Sequence, residues 1–274
     1  MASLPECKTL LLRHEGSRLY VTINRPETKN SITQEVVEEL TAVSDAIADD
    51  RSIRTLILRG SQGTFCAGGD IRGFKESFSS PAPASGERDP IAINNRKFGD
   101  FLIKFNALPQ TVVGVIEGSA YGGGLGLVCV TDVAICMKDA KFALSETGLG
   151  IPPAQIAPFV AQRIGITQAR RIALSGARFD GAHAKELGLV HFLAGSTEEL
   201  ESILKTLLND IGRCAPGADA ATKRILLDSM VRPLSDVLDT AAAAFASQLR
   251  GPEGKEGVQA FLEKRPAAWV ERIE

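Results

Sequence analysis

The sequence predicts an α/β protein, because apolar segments typical of strands alternate with segments of helical periodicity. A strand-then-helix unit recurs every forty to sixty residues through position 150. Two of the strand-like segments also run directly into glycine-rich stretches. Such a repeat favours a layered core in which strand ends gather at one edge of a sheet. The last sixty residues, in contrast, have almost only helical patterns.

Each element follows from a local pattern. Residues 19–23 alternate in polarity and stop at Asn24-Arg25-Pro26, which is typical of a strand closed by a turn. Thr33 precedes apolar residues at helical spacing, so a helix is expected through Ile47. Further strands are predicted over residues 54–59, 111–116, 132–136 and 189–192. Further helices are predicted over residues 91–108, from 122 onward, 156–164, 167–174, 182–187, 197–212, 216–230, 234–249 and 253–264.

The segment from Ser77 to Pro90 is rich in Ser, Pro and Ala and has little periodicity. We expect a mobile loop there, of the kind that forms an adaptable pocket wall. Residues 1–212 are predicted to form the core with the active site, and residues 213–274 a helical C-terminal region. The apolar faces of those last helices must be buried, against the core or against another subunit.

Bulk properties exclude several classes of protein. A formal net charge of −2 argues against a general role on nucleic acid or membrane surfaces. The five cysteines and three histidines show no disulfide-scaffold or metal-ligand spacing, so no metal is expected. The N-terminus lacks a signal-peptide pattern, and no apolar run could span a bilayer, which favours a cytoplasmic protein. No P-loop, G-x-S-x-G or G-x-G-x-x-G motif is present.

Two glycine-rich stretches carry most of the functional information. They are Phe65-Cys66-Ala67-Gly68-Gly69-Asp70-Ile71 and Gly118-Ser119-Ala120-Tyr121-Gly122-Gly123-Gly124. Each follows a strand and offers backbone N–H groups that no side chain covers. Two such donors that converge on one carbonyl oxygen form an oxyanion hole, which stabilises an enolate.

These stretches, together with Asn24-Arg25-Pro26, Asp132, Glu146 and the C-terminal Glu256-Gly257…Phe261-Leu262-Glu263-Lys264-Arg265, resemble the enoyl-CoA hydratase/isomerase (crotonase) family over nearly the whole chain. The resemblance implies a spiral of ββα units and a helical C-terminal trimerisation region. It also implies an acyl-CoA thioester substrate, no cofactor besides the coenzyme A of that substrate, and a homotrimer or a hexamer built as a dimer of trimers.

By position, the resemblance assigns the two oxyanion donors to Ala67 and Gly123 and the catalytic carboxylate to Glu146. Asp70 is expected to order the first stretch by hydrogen bonds, and Cys66 to pack beside it. Arg25, Lys29 and Lys264 are candidates for the phosphates of coenzyme A, although each could simply be solvated. The full set of expected substrate-contacting residues is Arg25, Lys29, Cys66, Gly68, Asp70, Ile71, Gly122, Gly126, Gln155, Phe261 and Lys264.

Gly126 is a departure from the family pattern, because hydratases of this family commonly carry a first glutamate there. The segment 123–128 and the segment 151–160 resemble instead the members that hydrate branched glutaconyl-CoA esters, above all isohexenylglutaconyl-CoA in acyclic terpene breakdown. Glycine would remove a charge that repels the substrate's own carboxylate and would open room for a branched acyl chain. Arg72, Lys75 and Gln155 are candidates to bind that carboxylate.

Three other functions stay open at this stage. A 3-methylglutaconyl-CoA hydratase of leucine breakdown shares much of the pattern. An enoyl-CoA isomerase could work with the single carboxylate of Glu146. A non-catalytic relative that binds acyl-CoA or RNA is disfavoured by the near-neutral charge and by the presence of Glu146.

Overall fold

The computed structural model describes residues 3–77 and 83–272. Their strands are β1 (Leu10–Glu15), β2 (Arg18–Ile23), β3 (Thr55–Gly60), β4 (Thr111–Ile116), β5 (Ser119–Tyr121), β6 (Val133–Met137), β7 (Lys141–Ala143), β8 (Arg178–Asp180) and β9 (Phe192–Ala194). Their α-helices are α1 (Gln34–Ile47), α2 (Ile71–Ser77), α3 (Pro90–Asn106), α4 (Gly123–Cys129), α5 (Ala157–Ser175), α6 (Gly181–Glu186), α7 (Thr197–Gly212), α8 (Pro216–Asp228), α9 (Leu234–Arg250) and α10 (Pro252–Leu262).

The larger of two sheets has the strand order β1-β2-β3-β4-β6-β9. The β1–β2 pair is antiparallel, and the other neighbours are parallel. Successive side chains of its central strands point to opposite faces. Leu56 and Val112 therefore join the main core, whereas Ile57 and Val113 pack beneath α7. Burial of both faces explains why these strands are almost continuously apolar.

The smaller sheet has the order β5-β7-β8 and lies next to the glycine-rich stretches. In two successive units, β4–β5 and β6–β7, the first strand belongs to the large sheet and the second to the small one. Directly after β3, the described residues form no second strand of this kind, but Cys66 forms a parallel bridge to Ala120 of β5 in the small sheet. The expected α/β class and its strand–strand–helix units are thus confirmed.

The structure also differs from the sequence predictions. Strand β1 and helix α2 were not predicted, and β5, β7 and β8 are three residues each, too short to show a periodicity. The strand expected at 189–192 lies at Phe192–Ala194. Gly165, at φ +75°, breaks α5 between the two helical pieces that were predicted there. Residues 78–82 of the expected mobile loop lie outside the described residues. The two ends of the expected loop belong to helices, since Ser77 ends α2 and Asp89 caps α3, which begins at Pro90.

The C-terminal helices are attached to the core by two buried cations. Lys223 on α8 donates to the carbonyl oxygens of Leu108 and Gln110 and pairs with Asp132 at 2.5 Å. Arg54, at the start of β3, donates to the carbonyl oxygens of Ile211, Gly212, Cys214 and Trp269. Arg54 thus joins the end of α7 to the last described segment of the chain.

Replacing Lys223 with Met should lower the free energy of unfolding by about 3–5 kcal/mol, because it leaves the Asp132 carboxylate without its buried partner. Only 12% of the Lys223 side chain is exposed. Chemical denaturation measures the change, and Lys205→Met, on the exposed face of α7, is the control. A loss below about 0.5 kcal/mol would contradict the role given to this ion pair.

Within residues 3–77 and 83–272, no helix is both long and apolar enough to cross a bilayer.

Candidate active site

Backbone hydrogen bonds join the two glycine-rich stretches. Cys66 N–H donates to the Ser119 carbonyl at 2.8 Å, and Tyr121 N–H donates to the Cys66 carbonyl at 3.0 Å. Gly68 adopts φ +97°, and a Cβ there would come within 3.0 Å of the Tyr121 oxygen. Glycine is therefore required at position 68 both for the backbone angle and for the close approach.

The first stretch corrects one predicted donor. Ala67 N–H already donates to the Lys29 carbonyl at 3.0 Å, so it is not available to a ligand. The next residues pair with Ile32, whose N–H donates to Gly68 O and whose carbonyl accepts from Asp70 N. In such a ladder every second residue turns its N–H the other way. Gly69 is that residue, and its N–H has no acceptor among the described residues.

The second stretch places Gly123 at the start of a helix. Gly122 N–H donates to the Ala143 carbonyl at 2.9 Å, and α4 begins at Gly123. The first N–H groups of a helix have no intrahelical acceptor. Gly122 itself adopts φ +49° and ψ −118°, a conformation open to glycine and strained for other residues.

Glu146 stands directly beside this turn. Its Oε1 is 2.5 Å from the position that a Cβ on Gly122 would occupy. Its other oxygen, Oε2, is buried and has no hydrogen-bond partner among the described residues. Burial raises the pKa of the Glu146 carboxyl above its ordinary value, and backbone hydrogen bonds offset part of that rise. A carboxylate whose pKa is raised is a stronger base than an ordinary glutamate, as general acid–base catalysis requires.

The raised pKa of Glu146 also predicts a change in stability. The folded state binds this proton more tightly than the unfolded state, so ionisation of Glu146 lowers stability as the pH rises from the ordinary pKa, and the loss is complete above the raised one. We therefore expect Glu146→Gln to unfold at a higher temperature than wild type at neutral pH. The difference in unfolding temperature between the two proteins should disappear as the pH falls from the raised pKa of Glu146 to the ordinary pKa of glutamate. Thermal unfolding across pH tests this, with the exposed Glu186→Gln as the control; a less stable Glu146→Gln at neutral pH would contradict it.

The space beside Gly126 is occupied, which corrects the expectation that glycine opens room there. Gly126 is buried, and a Cβ on it would lie under 3.0 Å from Ile156 Cγ2. Ile156 is itself 3% exposed. An aliphatic side chain thus lies beside position 126, where the resemblance stated above implies a first glutamate in most hydratases of the family.

Three residues near the first stretch have structural partners. Cys66 is fully buried and burial raises its pKa to about 12, so its side chain packs in the core and cannot contact a substrate. Asp70 accepts hydrogen bonds from Arg72, which lower its pKa. Arg25 donates to the Ser31 carbonyl at 2.7 Å, and only 16% of its side chain is exposed. Its guanidinium therefore stabilises the turn between Arg25 and Ser31.

Other predicted substrate-contacting residues are dispersed. Lys29 and Ile71 are exposed near the first stretch. Phe261, which is 83% exposed, and Lys264 lie at the end of α10, which packs on α9. Gln155 contacts α3, where its Nε2 donates to Asn95 at 2.9 Å. Gly69 belongs to the first stretch but was not predicted as its donor, because the hydrogen bonds that occupy the Ala67 and Asp70 N–H groups are formed with residues distant in sequence. The α3 side chains near this site carry no motif.

Within the part of the chain that the structure describes, no group of three or more His, Cys, Asp or Glu side chains is arranged to hold a metal ion.

Known proteins resemble this chain in sequence and in fold. A family model described as "Enoyl-CoA hydratase/isomerase" matches residues 13–272. The chain is 49% identical to Pseudomonas aeruginosa AtuE, with a TM-score of 0.92 over 96% of this chain and 100% of that one. It is 26% identical to an enoyl-CoA hydratase from Shewanella pealeana, with a TM-score of 0.86 over 96% and 97%. A "Probable enoyl-CoA hydratase" of Bacillus subtilis is 30% identical over 247 residues, which are 89% of this chain and 92% of the relative.

The shared architecture is that of the crotonase fold, an α/β core of mixed sheets followed by C-terminal helices. Family model, relatives and fold lead to one conclusion: this chain is an enzyme of the enoyl-CoA hydratase/isomerase family.

Proposed function

We propose that this enzyme adds water to the double bond of isohexenylglutaconyl-CoA, with Glu146 as its single catalytic carboxylate. One observation carries the hydratase part of the proposal. A buried, unpartnered carboxylate oxygen of Glu146 lies beside the turn that presents Gly123 N–H. An acid–base group and an oxyanion donor are therefore adjacent, as the chemistry next to a thioester requires.

The second donor in this proposal is Gly69. Its N–H and that of Gly123 lie on two stretches that backbone hydrogen bonds hold together. Both donate to the thioester carbonyl oxygen of the substrate. That oxygen gains negative charge when a nucleophile adds to the β-carbon, so the two hydrogen bonds strengthen as the enolate forms.

Glu146 moves one proton in two steps. Its carboxylate takes a proton from water while the water oxygen bonds to the β-carbon, and the electrons of the double bond pass to the carbonyl oxygen as an enolate. The carboxylic acid so formed then returns the proton to the α-carbon, and the thioester carbonyl is restored. One carboxylate is enough because it ends each cycle ionised. Its raised pKa brings the donor and acceptor forms closer in energy.

The substrate part of the proposal rests on the resemblance in residues 123–128 and 151–160 to hydratases of branched glutaconyl-CoA esters. The neutral surroundings of Gly126 and Ile156 support it. A second enzyme carboxylate at position 126 would repel an acyl group that carries its own carboxylate, and the repulsion is strong in a poorly solvated site.

A double-bond isomerase is the second candidate, because it too needs one carboxylate. Turnover in heavy-oxygen water distinguishes the two reactions, since only hydration places the label in the product. We expect labelled product from isohexenylglutaconyl-CoA, formed at least tenfold faster in kcat/KM than from 3-methylglutaconyl-CoA. Preference for the shorter thioester would indicate the leucine-pathway reaction instead. Unlabelled, rearranged product would indicate the isomerase.

We further propose a homotrimer or a dimer of trimers. Large apolar side chains on the C-terminal helices are exposed in the single chain: Leu226, Leu234, Leu238, Phe245, Val258, Phe261 and Leu262. Contact with neighbouring subunits would bury them and bring Phe261 and Lys264 toward a bound coenzyme A. Light scattering after size-exclusion chromatography measures the assembly, and a monomer at micromolar concentration would contradict it.

A further inference from the structure

A polar cluster lies on α3 and the segment before α5. Gln155 Nε2 donates to Asn95 Oδ1 at 2.9 Å. A Cβ on Gly99 would clash with Gln155 Oε1, and Arg96 Nη1 is 2.8 Å from the same Cβ position. The absence of a side chain on Gly99 therefore allows the amide of Gln155 and the guanidinium of Arg96 to converge.

Two chain neighbours of this cluster contact the candidate active site. Phe98, two residues after Arg96, has its ring 3.5 Å from the position of a Cβ on Gly123. On the other side, Gln155 is followed directly by Ile156, which fills the space beside Gly126. The chain neighbours of the polar cluster thus contact both the proposed oxyanion donor and the position of the missing glutamate.

Arg96 is the cation of the cluster and can take an additional anion. One ion pair links its Nη1 to Asp100 Oδ1 at 2.8 Å, and its side chain is 49% exposed. A guanidinium has five N–H donors in a planar fork, which suits a carboxylate in a two-point contact. Arg72, predicted from the sequence for this task, instead makes two side-chain hydrogen bonds to Asp70.

We propose that Arg96, with the Gln155 amide beside it, binds a second carboxylate carried by the acyl group, which makes dicarboxylic acyl-CoA thioesters the preferred class of substrate. The inference rests on the proposed function. In a glutaconyl thioester the carboxylate is attached through one methylene to the β-carbon, the carbon that receives water. Ile156 lies beside Gly126 and directly follows Gln155 in the chain, so we place the β-substituent of the substrate on this side of the site. An anion held by Arg96 is also drawn away from Glu146, which must ionise during the reaction.

Binding of an unreactive ligand pair tests this inference without turnover. The pair is 3-methylglutaryl-CoA, which is saturated, and the primary amide of the same acyl group, which is similar in shape and neutral. Calorimetry should show that Arg96→Gln raises the Kd of the carboxylate ligand about tenfold or more. The Kd of the amide should change by less than about twofold. Lys97→Gln, an exposed neighbour on the same helix, is the matched control and should change neither.

Arg96→Gln should leave the fold intact, because the pair with Asp100 is an exposed one between helical neighbours. Arg96→Lys, which keeps the charge without the planar fork, should recover part of the discrimination. Gln155→Leu should raise the Kd of the carboxylate ligand by a smaller factor than Arg96→Gln does.

Equal changes in the two Kd values, or no change in either, would overturn the carboxylate subsite. That result is distinct from failure of the proposed function, which would appear as absence of hydration by wild type whatever the binding data show.

Discussion

Glu146→Gln should lower kcat for hydration by about three orders of magnitude, within the roughly 10²–10⁴-fold range of general acid–base catalysis. The loss should exceed the lower end of that range, because the same carboxyl group both takes the proton from water and returns it to carbon. KM should change little, since glutamine has nearly the same shape and the thioester carbonyl is held elsewhere. Steady-state kinetics with isohexenylglutaconyl-CoA measures both constants.

The pH profile of the wild-type enzyme gives an independent check on the same group. The ionised form of Glu146 accepts the proton from water, so kcat/KM should fall as the pH drops through its pKa. Because burial raises that pKa, the acidic limb should lie above the ordinary range of glutamate. The control variant Glu186→Gln should retain wild-type kinetics and the same acidic limb in its pH profile. Residual activity of Glu146→Gln within tenfold of wild type would assign the proton transfers to another group.

Gly123→Pro should lower kcat by about 10²–10³-fold, equivalent to roughly 2.7–4 kcal/mol of transition-state stabilisation, because proline removes the N–H that is proposed to hold the enolate oxygen. Proline is tolerated at the first position of a helix, where the N–H has no intrahelical partner, and Gly123 is the first residue of α4. The substitution therefore removes a donor with limited damage to the helix.

Gly123→Ala is the matched control, since it adds the same Cβ and keeps the N–H. That Cβ would come 2.9 Å from Ile32 Cδ1, the end of a flexible side chain, so a modest loss is expected from crowding alone. The difference between the two variants isolates the donor, and circular dichroism confirms that both fold. Equal activities of the proline and alanine variants would exclude Gly123 N–H as an oxyanion donor.

Much of the fold was predictable because its long elements have clear periodicity. The face of α1 that carries Val36, Leu40 and Val43 is buried as its spacing predicts. The strands β5, β7 and β8 were missed because three residues cannot establish a period of two. Pairing with neighbours that are distant in sequence determines these short strands.

The candidate site was only partly predictable, for related reasons. Glu146 and Gly123 have recognisable local sequences. The proposed donor is Gly69 and not Ala67 because the Ala67 N–H is already hydrogen-bonded to Lys29. That bond, like those that pair the first stretch with Ile32, joins residues more than thirty positions apart. The contacts of Gly126 with Ile156, and of Gln155 with α3, likewise join segments that are far apart in the chain. Residue identity alone does not reveal them.

The backbone bridge between Cys66 and Ala120 has a consequence for how far the sequences of related proteins can diverge. The positions of both proposed donors depend on main-chain hydrogen bonds and on a few glycines, and only weakly on the identity of the other side chains in the two stretches. Most substitutions there can accumulate without displacing the donors. This robustness to mutation gives a physical reason why a relative that shares about a quarter of its residues keeps nearly the same three-dimensional arrangement. It also leaves residues outside the two stretches, such as Ile156 and the proposed carboxylate-binding Arg96, free to change with the acyl group.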